Sequence, residues 1–354
     1  MEKMKALVMR APKVYGVEQV DVPSPAPGEV LVKIKAVAIC GSDPKLFRGD
    51  YVSIGWPSVW PFIPGHEFAG EVVELGKDVT AFQVGDRVAG EAHCGCGTCP
   101  NCKQGMYNLC LNYGDIASGH RHYGFLAAGA YAEYSVYNTK AIAKMPDNVS
   151  FDEGSMVDTA GTSLQSVRLA GITVGGYSLI IGPGPIGMMV MQIAKAKGAR
   201  TIVVGRRERL QMAKELGADI IINYEEHKDI VAEVKRITGG FGADEAFECA
   251  GNDDAMCQCI RSVKKGGRVA FVSLPAVDEH TIPVKTMVMN QIALFGSRAN
   301  PNCSETVLNL MSQGHLNAKK MVTHVFPLEE IEKAVDVFVN RRDGAMKVVL
   351  HPDA

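Results

Sequence analysis

The sequence predicts a two-domain α/β protein in which one domain is built on a doubly wound parallel sheet. Strand-like and helix-like segments alternate between Ser178 and about Gly296, and a glycine-rich turn joins the first strand to its helix. Residues 4–36 instead alternate as antiparallel strands do. A chain of 354 residues is also longer than one ordinary hydrophobic core requires. We therefore place a dinucleotide-binding domain at 156–296 and a second domain at 1–155 and 297–354.

The stretch that predicts a ligand is the turn Gly-Pro-Gly-Pro-Ile-Gly at 182–187, which separates the apolar run 179–181 from an apolar segment of helical length. In a strand–turn–helix unit, the first glycine permits the tight turn, the second lets the backbone approach a pyrophosphate, and the third lets the helix pack on the strand. The phosphates would then face the helix N-terminus. The residues predicted to bind the coenzyme here are Gly182, Gly184, Pro185, Ile186 and Gly187.

The remaining elements follow from the same alternation. Later strands of the parallel sheet are predicted at 201–204, 219–223, 246–249, 268–273 and 292–296. The final part of the chain should return to the first domain, with a helix starting near 326–330 and a closing strand at 347–350.

Composition narrows the function classes. A net charge of -2 gives no indication of a nucleic-acid or anionic-membrane partner. The first residues do not resemble a secretory signal, and prolines and glycines interrupt the longest apolar span. We therefore expect a cytoplasmic protein whose ten cysteines stay reduced, which favours metal ligands over disulfides.

The strongest single metal signal is a run of four cysteines with the spacing C-x2-C-x2-C-x7-C. Cys96, Cys99, Cys102 and Cys110 suit one tetrahedral structural zinc, although an iron–sulfur cluster also uses closely spaced cysteines. Cys94 lies outside this spacing and is interpreted as a cysteine that does not bind the metal ion. A site closed by four thiolates has no position for substrate, so it would stabilise a lobe without taking part in chemistry.

A second pair of segments contains a different set of donors. Cys40 follows an apolar strand, and His66 and Glu67 lie in a glycine-flanked turn before another strand. A thiolate and an imidazole are ligands that zinc accepts. A cysteine in the position of Cys40 is usually a small buried core residue, and His66 taken alone would more often be an ordinary core or surface histidine.

These motifs together, in this order and at these separations, resemble those of the zinc-dependent medium-chain alcohol dehydrogenases, close to the sorbitol and threonine dehydrogenase branch. The match covers essentially the whole chain. The resemblance implies a Rossmann domain and a mostly-β GroES-like catalytic domain that carries the structural zinc lobe. Residues 129–134 resemble a strand that the family keeps for packing. It also implies a homodimer or homotetramer that acts on a small-molecule alcohol or ketone.

The resemblance further implies a catalytic zinc, held by Cys40, His66 and a third residue ahead of the dinucleotide turn. Counting back from Gly182, Asp158 falls at that place, in a small apolar stretch where a carboxylate needs a partner. We predict Cys40, His66 and Asp158 as ligands, with Glu67 as a fourth ligand or a supporting carboxylate. Each chain would then bind one catalytic and one structural zinc ion.

Residues near Cys40 have implied roles in proton transfer. By resemblance, Ser42 takes the alcohol proton and Asp43 orients the ligands. Many relatives place a relay histidine where this chain has Lys45, so the relay is altered or replaced by water. Ser273, Ser297 and Arg298 would line the nicotinamide side of the coenzyme.

The coenzyme is predicted to be NADP(H) rather than NAD(H). The second strand of the sheet ends at Gly205-Arg206-Arg207, where NAD enzymes usually hold an acidic residue for the ribose 2′-hydroxyl. Two guanidinium groups suit a 2′-phosphate. The alternative is a pair of solvated arginines that start a helix, and Glu208 remains available to a ribose hydroxyl.

The predicted function is a zinc-dependent oxidoreductase that transfers a hydride between a secondary alcohol or polyol and a nicotinamide coenzyme. The alternatives are a metal-free medium-chain reductase of quinones or enones and a non-catalytic dinucleotide-binding protein. The substrate stays open. Tyr51, Trp56, Trp60 and Phe62 either line a pocket or pack internally, and the histidines of the loop 119–124 are interpreted as surface or substrate-loop residues.

Overall fold

The computed structural model describes residues 2–275 and 277–353 and separates into two compact units. The first unit comprises the residues up to Gly161, Asn300–Gly314 and the residues from Ala318 onward. The second comprises Thr162–Ala299 and His315–Asn317. In the described part of the chain, every helix is too short or too polar to cross a bilayer.

The elements follow one another as a β-rich part, an alternating part and a short return. The first part contains β1 (Lys3–Ala11), β2 (Val14–Asp21), β3 (Glu29–Ala38), α1 (Asp43–Arg48), β4 (Glu67–Leu75), β5 (Arg87–Gly90), β6 (His93–Cys94), α2 (Pro100–Lys103), β7 (Arg121–His122), β8 (Tyr134–Asn138), β9 (Ile142–Lys144), α3 (Phe151–Gly154) and α4 (Val157–Ala170). The alternating part contains β10 (Tyr177–Ile181), α5 (Pro185–Ala196), β11 (Arg200–Gly205), α6 (Arg207–Glu215), β12 (Ile220–Asn223), α7 (Ile230–Ile237), β13 (Ala243–Glu248), α8 (Asp253–Ser262), β14 (Val263–Phe271), α9 (Val284–Asn290) and β15 (Ala293–Gly296). The return contains α10 (Ser304–Ser312), β16 (Val322–Pro327), α11 (Ile331–Asn340) and β17 (Lys347–His351).

In the first unit, the main sheet has the order β16-β17-β3-β4-β5-β9, and β8 also pairs with β3. The strand β3 lies between β17 and β4 and is antiparallel to both. Its apolar residues are almost fully buried in a core that includes Leu7, Ile34, Phe68, Tyr137 and Leu350. The two neighbours of β3 therefore bring residues from distant parts of the sequence to its C-terminal end.

In the second unit, six parallel strands have the order β12-β11-β10-β13-β14-β15. Apolar side chains such as those of Leu179, Ile202 and Val269 form its core. The strand order reverses between β10 and β13, and a crevice suited to a ligand forms at the carboxyl ends of the strands at such a point. The predicted doubly wound sheet is confirmed, and each predicted strand overlaps an observed one.

One local prediction is confirmed and another is wrong in detail. The helix expected to start near 326–330 does so: a 3₁₀ turn at Leu328–Glu330 follows Pro327, the last residue of β16, and leads directly into α11 at Ile331. The packing strand expected at 129–134 begins only at Tyr134. The residues before it run as an irregular segment whose backbone bonds to the Pro64–Gly65 segment and to β1.

Candidate active site

The antiparallel register of β3 and β4 brings Cys40 and His66 together. Ala38, the last residue of β3, lies opposite Glu67, the first residue of β4. Cys40 and His66 lie just beyond this pair at the same end of the sheet. As a result, the ligand atoms of Cys40, His66 and Glu67 all lie within 4.8 Å of one another.

Asp43 connects the two segments that carry these donors. It is fully buried at the start of α1, where its Oδ2 accepts hydrogen bonds from the Cys40 N–H at 2.8 Å and from the Tyr131 hydroxyl at 2.7 Å. Its Oδ1 lies 3.6 Å from Nδ1 of His66. This carboxylate is placed to orient the imidazole, as histidine ligands of metals require.

A buried ion pair lies on the other side of Glu67. Because Val349 of β17 lies opposite Ala38, Lys347 extends past the end of β3 toward Cys40. The side chains of Lys347 and Glu67 are both 2 % exposed and form an ion pair. Thr159 lies between them: its hydroxyl donates to Glu67 Oε1 at 2.9 Å and accepts from Lys347 Nζ at 3.1 Å.

Asp158, the predicted third ligand, lies in the first turn of α4 and is partly buried. Its Oδ1 accepts hydrogen bonds from the Ala92 N–H and from Asn300 Nδ2, both at 3.1 Å. Burial raises its pKa, while the charge of His66 acts in the opposite direction. Among the described residues, Asp158 is not part of the group whose ligand atoms lie within 4.8 Å, and Glu67 is.

The charges around this site favour a cation. Burial alone would lower the pKa of His66, but the neighbouring Cys40 and Asp43 outweigh it and raise that pKa well above its ordinary value. Sulfur, imidazole nitrogen and carboxylate oxygen are all donors that zinc accepts. A site that concentrates Cys40, Asp43, Glu67 and Asp158 around one histidine therefore fits a divalent ion.

The four-cysteine lobe also fits the metal expected for it. The ligand atoms of Cys96, Cys99, Cys102 and Cys110 lie within 4.8 Å of one another, with Sγ–Sγ distances of 3.9 Å for Cys96–Cys102 and 4.0 Å for Cys99–Cys110. A tetrahedron with zinc–sulfur bonds of about 2.3 Å has edges of about 3.8 Å. Hydrogen bonds from Thr98 and from the Cys99 N–H lower the pKa of Cys96, whereas burial raises the pKa of Cys102 and Cys110, so a bound cation would be needed to hold all four as thiolates.

An aromatic cluster adjoins His66. The ring of Phe125 lies 4.8 Å from that of His66 and 4.3 Å from that of His122. The ring of Trp56 contacts both Phe125, at 5.1 Å, and His122, at 4.9 Å. His120 and His122 are 0 % and 4 % exposed, so the interpretation of these histidines as surface residues is wrong. Trp56 joins this cluster, whereas Phe62 packs in the core.

Ser42 and Lys45 lie at the start of α1, beside Cys40. Ser42 is the N-cap residue of α1, and within the described residues its buried Oγ has no hydrogen-bond partner. Lys45 is half-buried one turn further along the helix. A buried hydroxyl two residues after Cys40 can both accept and donate a hydrogen bond, as the predicted proton acceptor needs.

A buried carboxylate that sequence reasoning missed lies close to Asp158. Glu91 is 3 % exposed, and its Oε1 accepts hydrogen bonds from the Tyr107 hydroxyl at 2.6 Å and from Ser304 Oγ at 3.4 Å. Burial raises the pKa of Glu91 to about 8, and the charge of Asp158 acts in the same direction. In the sequence, the only feature that indicates this buried carboxylate is the position of Glu91 directly after the apolar strand β5.

In the second unit, the glycine turn lies at the point where the strand order reverses. Gly182 has φ +102°, and a Cβ there would lie 2.8 Å from the backbone of Cys249. A Cβ on Gly187 would lie 2.1 Å from the carbonyl oxygen of Gly182. Gly184 is the N-cap of α5, which begins at Pro185. The turn thus has the backbone geometry that a bound pyrophosphate requires.

The two arginines after Gly205 have an acidic neighbour. Arg206 Nη1 lies 3.0 Å and Arg207 Nη2 3.5 Å from Oε1 of Glu225, and all three side chains are partly or largely exposed. The guanidinium of Arg206 also lies over the ring of Tyr224. A 2′-phosphate at this place would compete with the Glu225 carboxylate.

The residues predicted for the nicotinamide side follow the ends of β14 and β15. Ser273 donates to Glu248, whose Oε1 also accepts the N–H groups of Ala250 and Gly251 at 2.6 Å each. Ser297, which precedes Arg298, follows β15, and its N–H donates to the carbonyl of Phe271 at 2.9 Å. These residues therefore lie at the carboxyl ends of neighbouring parallel strands, where ligands bind in such sheets.

Comparison with known proteins defines the class to which this fold and these sites belong. The family model of the alcohol dehydrogenase GroES-like domain matches residues 26–147, and that of zinc-binding dehydrogenases matches residues 185–313. The chain belongs to the zinc-dependent medium-chain alcohol dehydrogenase family.

Its relatives indicate the branch within that family. The sorbitol dehydrogenase of Bacillus subtilis is 34 % identical, over 99 % of this chain and 98 % of the relative. The L-threonine 3-dehydrogenase of Pyrococcus furiosus is also 34 % identical, over 99 % of each. The resemblance to the sorbitol and threonine dehydrogenase branch is confirmed.

Solved structures agree with this placement. A protein from Sinorhizobium meliloti assigned to the zinc-binding dehydrogenases, bound to NADP, has a TM-score of 0.89 and 30 % identity, covering 99 % of this chain and 100 % of its own. An alcohol dehydrogenase from Escherichia coli complexed with NADH has a TM-score of 0.88 and 26 % identity, with coverage of 99 % and 100 %. Relatives of this fold are therefore found with either coenzyme.

Proposed function

We propose that this protein is a zinc-dependent oxidoreductase that transfers a hydride between a secondary alcohol or polyol and a nicotinamide coenzyme. The observation that carries the proposal is the group of half-buried Cys40 and buried His66 and Glu67, whose ligand atoms lie within 4.8 Å of one another. A metal-free reductase has no use for such a group, because a cysteine, a histidine and a carboxylate packed together are the donors of a metal site. Family membership supports the same reaction class.

Either of two carboxylates, Asp158 or Glu67, could be the third zinc ligand at this site. Cys40 and His66 are ligands in both cases. Asp158 is the third ligand by resemblance, while Glu67 lies within the observed group but is also paired with Lys347. We propose that Asp158 completes the site when the ion is bound and that Glu67 remains the supporting carboxylate. The four cysteines of the lobe would hold the structural ion.

The protein groups around the reacting centre have separable tasks. When bound, zinc would supply Lewis-acid activation of the alcohol oxygen, and the nicotinamide would accept the hydride. Asp43 would keep the imidazole of His66 oriented. Ser42 Oγ would take the proton of the alcohol and pass it on through Lys45 or water. The aromatic cluster of Trp56, Phe125 and His122 would exclude water beside His66.

We propose NADP(H) as the preferred coenzyme. Arg206 and Arg207 stand at the end of β11, where an acidic residue would otherwise select NAD(H). A 2′-phosphate offers more charge and more acceptor oxygens than the single carboxylate of Glu225, so it should displace that carboxylate from the arginines.

The reaction and the coenzyme can be tested together. Purified protein should reduce NADP⁺ in the presence of a secondary alcohol or a sugar alcohol, with a higher kcat/KM than with NAD⁺. A panel that sets polyols against hydrophobic secondary alcohols would also identify the substrate class. Absence of turnover on the whole panel, with coenzyme still bound, would support the non-catalytic alternative. Turnover of quinones or enones after zinc removal would support the metal-free alternative.

The arginines provide the control for the coenzyme assignment. Replacing Arg206 and Arg207 by serine should lower kcat/KM for NADP⁺ by roughly tenfold or more, as expected for the loss of charge-assisted hydrogen bonds, and should leave NAD⁺ turnover nearly unchanged. Arg236→Ser, at an exposed ion pair in the same unit, is the matched control. Equal losses with both coenzymes would contradict the assignment.

We also propose that the protein is a homodimer or homotetramer, with β15 of the second unit in the interface. This strand lies at one edge of the six-stranded sheet, where unpaired backbone groups can extend the sheet into a second copy. Nearby in sequence, Val288 and Met289 are 73 % and 72 % exposed.

Val288→Asp should reduce the molar mass in solution, measured by light scattering. The control Val174→Asp, at a valine that is 80 % exposed elsewhere in the unit, should leave the molar mass unchanged. A wild-type monomer would contradict the proposal.

A further inference from the structure

The geometry points to Tyr131 as a positioning residue that holds the Cys40 and His66 segments at the separation a metal ion needs. The inference rests on the proposed function, since it assumes that these two residues bind the catalytic zinc. Tyr131 itself touches neither ion nor substrate in this assignment. It acts through Asp43, which contacts both segments.

The side chain of Tyr131 attaches to the Cys40 segment. Its hydroxyl is fully buried and donates to Oδ2 of Asp43 at 2.7 Å. The same oxygen accepts the Cys40 N–H, and the other oxygen faces His66 Nδ1. A carboxylate can rotate about its Cβ–Cγ bond, so two donors on one oxygen fix the plane of the group and keep the other oxygen directed at the imidazole.

The backbone of Tyr131 attaches to the segment that carries His66. Its N–H donates to the carbonyl of Pro64 at 3.0 Å, and its own carbonyl accepts the Leu7 N–H at 2.7 Å. A Cβ on Gly65 would lie 2.8 Å from the Tyr131 nitrogen, so only glycine permits this approach. One residue is therefore bonded to the His66 segment through its main chain and to the Cys40 segment through its hydroxyl.

Loss of the hydroxyl should consequently loosen the metal site without disturbing the rest of the unit. Asp43 would lose one of its donors in a dry site, and its orientation toward His66 would no longer be fixed. Removal of a group that orients a metal ligand typically weakens metal binding by about 10–100-fold. The four-cysteine lobe has no part in this network and should keep its ion.

The test is Tyr131→Phe, with Tyr137→Phe as the matched control. Both tyrosines are fully buried in the first unit, so the same group is removed from a similarly buried position, but of the two only the Tyr131 hydroxyl bonds to Asp43. Zinc release into excess chelator is followed by metal analysis on the purified full-length chain, alongside the melting temperature. In the Tyr131 variant, one of two zinc ions should leave about 10–100-fold faster than in wild type, and the other at the wild-type rate. The Tyr137 variant should release both ions as wild type does.

The outcomes separate this inference from the proposed function. Two zinc ions in wild type with unchanged release in the Tyr131 variant would overturn the positioning role alone. Equal acceleration for both ions, with a lower melting temperature, would show a merely structural role and would also overturn it. Only one zinc ion in wild type would defeat the proposed catalytic site itself. Asp43→Asn, which keeps the side-chain shape, should give the same selective loss as Tyr131→Phe.

Discussion

Replacing His66 by alanine should remove one of two zinc ions per chain and reduce turnover of the alcohol substrate at least about a hundredfold. The loss of a group that merely orients a metal ligand costs about 10–100-fold, and the loss of the ligand itself should cost more. No other residue of the observed group can replace His66, because only the ligand atoms of Cys40 and Glu67 remain after the substitution. Metal analysis and initial rates on the same sample measure both effects.

The matched control is His324→Ala, which removes a half-buried histidine from β16 of the same unit. This variant should keep both ions and full activity. The zinc ion that remains in the His66 variant should be the one bound by the four cysteines, and it should disappear in Cys99→Ser. A His66 variant that keeps both ions and wild-type turnover would contradict the catalytic assignment.

Local signals in the sequence predicted a large part of this arrangement. The spacing of the four cysteines requires only that a short lobe fold back on itself, and the structure brings all four sulfur atoms together. The glycine turn at 182–187 likewise depends on one strand and one helix that adjoin it in the chain. Such features could be predicted because their partners lie within a few residues of one another.

Features that depend on strand register between distant segments could not be predicted in the same way. The sequence places Lys347 in a closing strand, but no local signal indicates that this strand pairs with β3 and carries the ammonium group of Lys347 to Glu67. The contact between Tyr131 and Asp43 also joins residues that are far apart in sequence. The only sequence features that point to these contacts are the position of Lys347 at the start of an apolar strand and that of Tyr131 in a segment of small residues.

Replacing Lys347 by methionine should destabilise the zinc-free protein by about 3–5 kcal/mol, the usual cost of leaving one partner of a buried ion pair without its counter-charge. Burial would lower the pKa of Lys347, but Glu67 and Cys40 outweigh it and raise that pKa, so the ammonium group is charged in the folded state. For a unit of this size, each kcal/mol corresponds to about 2–4 °C in melting temperature. Lys333→Met, at an exposed pair with Glu330, should cost less than about 1 kcal/mol.

Zinc should reduce the effect of this substitution. Without Lys347, the Glu67 carboxylate lacks its counter-charge but still lies beside Cys40 and His66, where a divalent ion would neutralise it. The loss of melting temperature should therefore be smaller in the zinc-loaded variant than in the chelator-treated one, because an ion that binds only the folded state stabilises it. The double variant Lys347→Met/Glu67→Gln, which removes both charges, should recover part of the zinc-free stability and should lose the additional response to zinc. An equal loss in both metal states would show that Glu67 serves the fold through Lys347 alone and has no coupling to the metal.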